Sequence, residues 1–281
     1  MLSEDSVHAV DEQTRIARSL ALIDAAIEKY NPVAVLGLFS GGHDSLTAVH
    51  VAARHPKFSY AVHINTGIGV PQTREYVRRI SRELDWDLHE YRAKDCGQDF
   101  EKIVAQYGFP GPGQHSTMYI RLKERPLRVA IAQAKLGYKR NRSVLLISGV
   151  RFQESDRRMG YKEPITKEGS KIWVNIINDW SKADCNRYIE NVRIERSPVV
   201  DKIHKSGECL CGAFAKPGEF DELEFWYPEY AAYIKSLKDA KGRCWGWGAG
   251  KVVVNLATGK FSASEGSERR DPPGPMCAGC K

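Results

Sequence analysis

The strongest constraint on this chain is a junction. A short run at 33–38, built only from valine, alanine, leucine and glycine, is followed after Phe39 by Ser40-Gly41-Gly42-His43-Asp44-Ser45. A run with no polar position reads as a parallel strand buried on both faces, because a half-exposed strand would alternate. Gly41 and Gly42 let the backbone turn sharply and come close to a ligand. The amides and hydroxyls of Ser40 and Ser45 stand where a helix opens, and unpaired N–H groups and the helix dipole favour an anion there. The segment therefore reads as a phosphate-binding strand-to-helix turn, without the lysine of a Walker loop.

The surrounding residues alternate between strand and helix patterns. Helical spacing of Ile16, Leu20, Ile23 and Ile27 marks a helix over 11–30, stopped by Asn31-Pro32. After the strand at 33–38, the pattern predicts helix 44–53, strand 58–64, helix 72–84, strand 87–91, helices 100–107 and 120–136, and strand 143–148. This alternation implies an α/β fold, a doubly wound and mainly parallel sheet with ligands at the carboxyl ends of its strands. Past about residue 200, Gly, Pro, Cys and Trp become frequent. The expected organisation is a helical segment at 1–30, a nucleotide-binding domain at 31–200 and a small Cys-rich, metal-supported region at 201–281.

Three further segments fall near strand ends or helix starts. In His63-Ile64-Asn65-Thr66-Gly67, a glycine shortly after the strand allows the chain to turn at its carboxyl end. In Ser148-Gly149-Val150-Arg151, Gly149 permits close backbone approach, and Arg151 offers a planar fork of donors matched to phosphate oxygens. Arg157 and Arg158 extend that basic stretch. Lys123, in Arg121-Leu122-Lys123-Glu124-Arg125-Pro126-Leu127, reads either as a substrate-facing cation or as a helix-surface charge. Asp44 either orients a metal and its water shell or caps the helix.

Seven cysteines include two close pairs, Cys209-Leu210-Cys211 and Cys277-Ala278-Gly279-Cys280. Two such turns can close four sulfurs around one centre, iron–sulfur or structural zinc. An odd count in close pairs suits thiolate ligation in a reducing compartment better than a secreted disulfide framework. Cys244 is a fifth candidate, whereas Cys96 and Cys185 read as ordinary buried thiols. Trp226, Trp245 and Trp247 read as packing of the metal-supported region. No stretch is long and apolar enough to span a bilayer and the first residues lack a signal-peptide pattern, so the expected location is the cytoplasm. A net charge of +7 suits a nucleotide or polyanionic partner.

Taken in order over residues 30–205, these segments resemble the ATP pyrophosphatase and phosphoadenosine phosphosulfate (PAPS) reductase superfamily. Ser40 to Ser45 resembles its SGGxDS pyrophosphate loop, and Gly149-x-Arg151 its Gly-x-Arg segment. The segment around Lys123 resembles its Lys-x-x-Pro-Leu segment, and Asn178-Asp179-Trp180 its aspartate-tryptophan segment ahead of a helix. The chain departs at Asn65 and Gln72, where the family usually carries Asp and Glu. The resemblance implies an adenine nucleotide alpha hydrolase-like fold that binds ATP with Mg²⁺. It implies nucleotide contacts from Ser40, Gly41, Gly42, Asp44, Ser45, Ile64, Asn65, Thr66, Gly149, Arg151 and Arg157, and catalytic roles for Asp44, Arg151 and Lys123. The cysteines resemble those of iron–sulfur phosphosulfate reductases and DNA phosphorothioation sulfurtransferases. That likeness implies a [4Fe-4S] cluster on Cys209, Cys211, Cys277 and Cys280, with Cys-x-Cys where the reductases have adjacent cysteines.

The doubled glycine is more similar to the ATP-splitting members. The reductases' Glu-Cys-Gly-Leu-His segment is absent, since Leu210-Cys211-Gly212 follows Glu208-Cys209. The resemblance therefore implies a sulfurtransferase that cleaves ATP to AMP and pyrophosphate to activate an acceptor. A nucleic acid is one candidate acceptor, and a sulfur-donor protein is a candidate partner. The alternatives are a reductase releasing sulfite from PAPS or adenosine phosphosulfate, and a noncatalytic nucleotide-binding module.

Overall fold

A computed structural model of the protein describes residues 4–152, 163–215 and 218–243, together with two short strands near the carboxyl end. Helix α1 (Glu4–Tyr30) leads into β1 (Val35–Leu38), α2 (His43–Ala52), β2 (Tyr60–Asn65), α3 (Pro71–Glu83) and β3 (Leu88–Arg92). Then come α4 (Phe100–Tyr107), α5 (His115–Tyr119), α6 (Arg125–Ala134) and β4 (Val144–Ile147). A hairpin, β5 (Ile165–Glu168) and β6 (Lys171–Val174), precedes α7 (Lys182–Asn191), α8 (Pro198–Ile203), α9 (Glu219–Trp226) and α10 (Pro228–Ser236). Strands β7 (Val252–Val254) and β8 (Phe261–Ala263) form a separate antiparallel pair.

The main sheet has six strands in the order β3-β2-β1-β4-β6-β5, all parallel except the edge strand β5. Both faces are covered, which explains the uniformly apolar central strands. Along β4, Val144 and Leu146 join Leu36, Val62, Trp173 and the α6 residues Leu127, Ala130 and Ile131 on one face. Leu145 and Ile147 join α1 (Ile16, Ile23, Ala26), α2 and α7 on the other. A further core brings Val199, Ile203, Leu210, Cys211, Leu223, Tyr230 and Ile234 together with Ile68, Val70, Ala93, Phe100 and Leu122. Residues beyond α7 thus pack on the loops at the carboxyl ends of β2 and β3.

Two local features differ from the sequence reading. The single helix expected at 120–136 is a wide π turn (Ile120–Glu124), which continues α5, followed by α6. Pro126 supplies no N–H to the ladder, and the Arg125 amide reaches back to the Ile120 carbonyl instead. The β5–β6 hairpin had no alternating signal strong enough to read. It turns on Gly169, at φ +59°, between the paired residues Glu168 and Lys171. Among the described residues, no helix is long and apolar enough to cross a membrane.

Candidate functional site

In this strand order β1 has β2 on one side and β4 on the other, so the chain leaves the two carboxyl ends in opposite directions. An open parallel sheet forms its ligand crevice at such a switch point. The Ser40–Ser45 loop closes β1, and the Ser148–Arg151 segment closes β4.

The loop is shaped by its backbone. Gly41 sits at φ +80°, with positions 2.9 and 3.1 Å from Thr73 Cγ2 and Val77 Cγ2 where a Cβ would stand, so conformation and space both require glycine. Gly42 differs. Its backbone is extended and a Cβ would meet nothing closer than 3.5 Å, yet that Cβ would stand beside the hydroxyls of Ser40 and Ser45. Gly42 is also the residue ahead of α2 and gives the helix no side-chain cap. The first turn therefore has no side-chain partner at the cap position, the arrangement that favours an anion. Within the loop, the Ser40 amide donates to Ser45 Oγ (3.2 Å), Ser45 Oγ donates to the Gly42 carbonyl (2.9 Å), and the two hydroxyls lie 3.1 Å apart.

Across the crevice, Gly149 brings the end of β4 against α2. A Cβ there would fall 2.7 Å from the Asp44 carbonyl carbon and the Ser45 amide nitrogen. This approach carries Arg151 to the loop, where its Nε lies 3.1 Å from Asp44 Oδ2, with the Arg151 side chain 6% exposed and that of Asp44 23%. Asp44 and Arg151, singled out separately in the sequence, are partners in one ion pair. Lys123 is buried on the π turn, so it is not a helix-surface charge. Arg157 and Arg158 lie outside the described residues.

The end of β2 is built differently. Ile64 lies in the ladder opposite Tyr91. Asn65 Nδ2 donates to Glu90 Oε1 (2.7 Å), and Asn65 Oδ1 accepts from the Gly67 amide (2.9 Å). Glu90 is held below the usual carboxylate range despite its burial, chiefly by a two-pronged Arg78 contact (2.8 and 3.0 Å) and by Asn65. An aspartate at position 65 would face that carboxylate, which gives a physical reason for asparagine here. The Thr66 amide donates to Glu208 Oε1 (2.8 Å), and Thr66 Oγ1 donates to the Glu208 carbonyl. Asn65 and Thr66 therefore have internal partners.

Two histidines escaped the sequence reading. His43, inside the loop, turns inward and accepts the Ser197 amide at Nε2 (3.2 Å). Burial, then the nearby Arg196, lower its pKa from 6.5 to about 4. Fully buried His63 places Nδ1 2.8 Å from the Phe39 carbonyl and Nε2 3.2 Å from Glu208 Oε2, close enough for an ion pair but not aligned as a hydrogen bond. Burial opposes its protonation, but Glu208 and the carbonyl prevail and raise its pKa. An apolar strand containing one histidine signals little, because the partner lies 145 residues later.

Of the cysteines, Cys211 is buried and Cys209 half-buried in the segment that lines the end of β2. Cys277, Cys280 and Cys244 lie outside the described residues, as do Trp245 and Trp247. Among the described residues no group of three or more His, Cys, Asp or Glu is placed to hold a metal ion. Cys185 is a buried thiol whose pKa burial pushes far up, while Cys96 is only partly buried.

The phosphoadenosine phosphosulfate reductase domain matches residues 34–211, more than half of the chain. The chain belongs to this family. The PAPS reductase family binds adenine nucleotides, and its domain here runs from β1 through both thiols of the Cys209-Leu210-Cys211 pair. No curated protein matches the chain. Among solved structures, PAPS reductase from Candida auris, in a phosphate complex, is similar at 18% identity and a TM-score of 0.48, over 72% of this chain and 92% of that one. Candida glabrata FMN adenylyltransferase, in complex with FMN and the ATP analog AMPCPP, is similar at 12% identity and a TM-score of 0.49, over 72% of this chain and 65% of that one.

Proposed function

We propose that this member of the PAPS reductase family is an ATP-pyrophosphatase-type sulfurtransferase. The observation that carries the reading is the Ser40–Ser45 loop at the β1/β4 switch point, with a helix start that has no side-chain cap and Arg151 fixed beside it by Asp44. In this reading an acceptor oxygen attacks the α-phosphorus of ATP, the bond to the bridging oxygen breaks, and pyrophosphate leaves. A sulfur nucleophile then displaces AMP. The loop positions the phosphates and stabilises their charge, chiefly through backbone amides and the hydroxyls of Ser40 and Ser45. Binding must replace the loop's own hydrogen bonds, so the net gain per contact is about 1 kcal/mol for neutral donors and more for Arg151. Magnesium, held mainly by the phosphates, needs few protein ligands, and Asp44 is the carboxylate at the loop.

A [4Fe-4S] cluster on Cys209, Cys211, Cys277 and Cys280 is part of this proposal. Its thiolate donors are chemically suited, and the cluster would supply redox-active iron and acid-labile sulfide. Iron and sulfide analysis of anaerobically purified protein tests it; zinc without iron would replace the cluster by a structural metal. The acceptor, with nucleic acid as one candidate class, and the sulfur-donor protein belong to the same proposal, as does a cytoplasmic location.

The family match favours a second reading, reduction of PAPS or adenosine phosphosulfate with release of sulfite. Turnover assays separate the two. Pyrophosphate from ATP, dependent on an acceptor, supports the first reading; sulfite from a phosphosulfate without ATP turnover supports the second. Nucleotide binding with neither product would identify a noncatalytic module.

A further inference from the structure

The Ser206–Cys211 segment, which carries Cys209 and Cys211, is fastened to the loop after β2 and the first turn of α3 at several successive points. Thr73 Oγ1 donates to the Ser206 carbonyl (2.6 Å), the Val70 amide to the Gly207 carbonyl (3.0 Å), Thr66 Oγ1 to the Glu208 carbonyl, and the Leu210 amide to the Ile68 carbonyl (2.9 Å). The fit leaves no slack, since a Cβ on Gly69 would lie 2.5 Å from the Glu208 carbonyl oxygen. At its start the segment meets the phosphate loop, with Ser206 Cβ 3.5 Å from where a Gly42 Cβ would stand.

The Glu208 side chain makes a second, buried link. The residue is 3% exposed, and its carboxylate takes the Thr66 amide on one oxygen and faces His63 Nε2 with the other. The far nitrogen of His63 lies 2.8 Å from the carbonyl of Phe39, the residue directly before Ser40. Burying a carboxylate against an imidazole is expensive unless both keep their partners. The pair adds a connection between the segment and the residue that sets the start of the phosphate loop.

We propose that Glu208 is a positioning residue of the nucleotide site: through His63 and Phe39 it fixes the phosphate loop relative to the Ser206–Cys211 segment, so that nucleotide binding and the order of that segment depend on each other. The inference rests on the reading of Ser40–Ser45 as a nucleotide loop. Coupling of this kind is reciprocal, so it can be read from either side.

Two measurements on the full-length protein as purified test it. The first is hydrogen–deuterium exchange of the peptide covering residues 205–213, with and without saturating ATP and Mg²⁺ or PAPS; affinity is measured alongside by calorimetry. Nucleotide should slow exchange in this peptide by about fivefold or more. The second compares Glu208→Gln, which keeps the shape and an acceptor for the Thr66 amide, with Glu208→Ala, which leaves the Thr66 amide and His63 Nε2 without a partner. Glu208→Gln should bind nucleotide within about threefold of wild type and keep the protection, while Glu208→Ala should bind about tenfold or more weakly and lose it. If Glu208→Ala fails to fold, the wild-type exchange and Glu208→Gln decide. Nucleotide binding by wild type that leaves the peptide's exchange unchanged would overturn this inference alone. Absence of nucleotide binding would overturn the functional reading as well.

Discussion

The carboxyl ends of β1 and β2 are neighbours in one sheet, yet they treat their polar groups in opposite ways. At β1, a helix starts without a side-chain cap, two serine hydroxyls bond mainly to each other and to the loop, and the nearest strong charges, Asp44 and Arg151, sit at its edge. At β2, Asn65, Thr66 and His63 are committed to Glu90, Glu208 and Phe39 inside the fold. The first arrangement can exchange its internal bonds for those to a ligand at modest cost. The second would do so at a higher cost, because a buried polar group that loses its partner forfeits about 1–3 kcal/mol. Both segments look like glycine-bearing loops after a strand; one is suited to receive a ligand, and the other holds the frame.

The sharpest way to break this contrast is Gly69→Ala. A methyl group 2.5 Å from the Glu208 carbonyl oxygen must push the segment off the β2 end, and overpacking costs about 1–3 kcal/mol, occasionally more. The expected result is a lower denaturation midpoint together with faster exchange in residues 205–213; wild-type stability would show that the β2 end is not a rigid frame. Next in size is Arg151→Ala, which should weaken nucleotide binding by about 1.5–3 kcal/mol, as measured by calorimetry, through loss of a charge-assisted contact. Unchanged affinity and turnover would make the Asp44–Arg151 pair purely structural.

Gly42→Ala sharpens the same division. The extended backbone accepts alanine and the nearest atoms lie at 3.5 Å, so thermal unfolding should match wild type. The methyl group nevertheless stands beside the Ser40 and Ser45 hydroxyls, and affinity should fall about tenfold, or about 1.4 kcal/mol. Undiminished affinity in the folded variant would remove the phosphates from this loop.

The last effect is a pH dependence. His43 and His50 are both lowered from 6.5 to about 4, mainly by burial. The unfolded chain therefore binds more protons than the folded one between about 6.5 and 4, and stability is lost as pH falls through that window. His63 has the opposite sign, because its raised pKa contributes below the ordinary imidazole value and is lost as pH rises. Urea midpoints should drop from pH 7 to pH 5, and His50→Gln should shrink that drop. An unchanged difference in the variant would exclude His50 as a contributor.

Much of this was legible in the residues themselves. An apolar run with no alternation reads as a strand covered on both faces, and glycines between serines at its end read as a turn; both follow from local sterics and water. The mainly parallel sheet followed from the alternation of elements, whereas the placing of β4 beside β1, which brings Arg151 to Asp44, came only with the strand order. Which glycine is indispensable was not legible either: Gly41 is constrained by Thr73 and Val77, which reach it only once α3 has folded beside β1. The pairing of Asp44 with Arg151, the inward turn of His43 toward Ser197, and the closure of Asn65 and Thr66 by Glu90 and Glu208 were equally hidden. Each joins residues far apart in the chain and depends on burial, and burial belongs to the packed sheet and helices, not to any stretch of sequence.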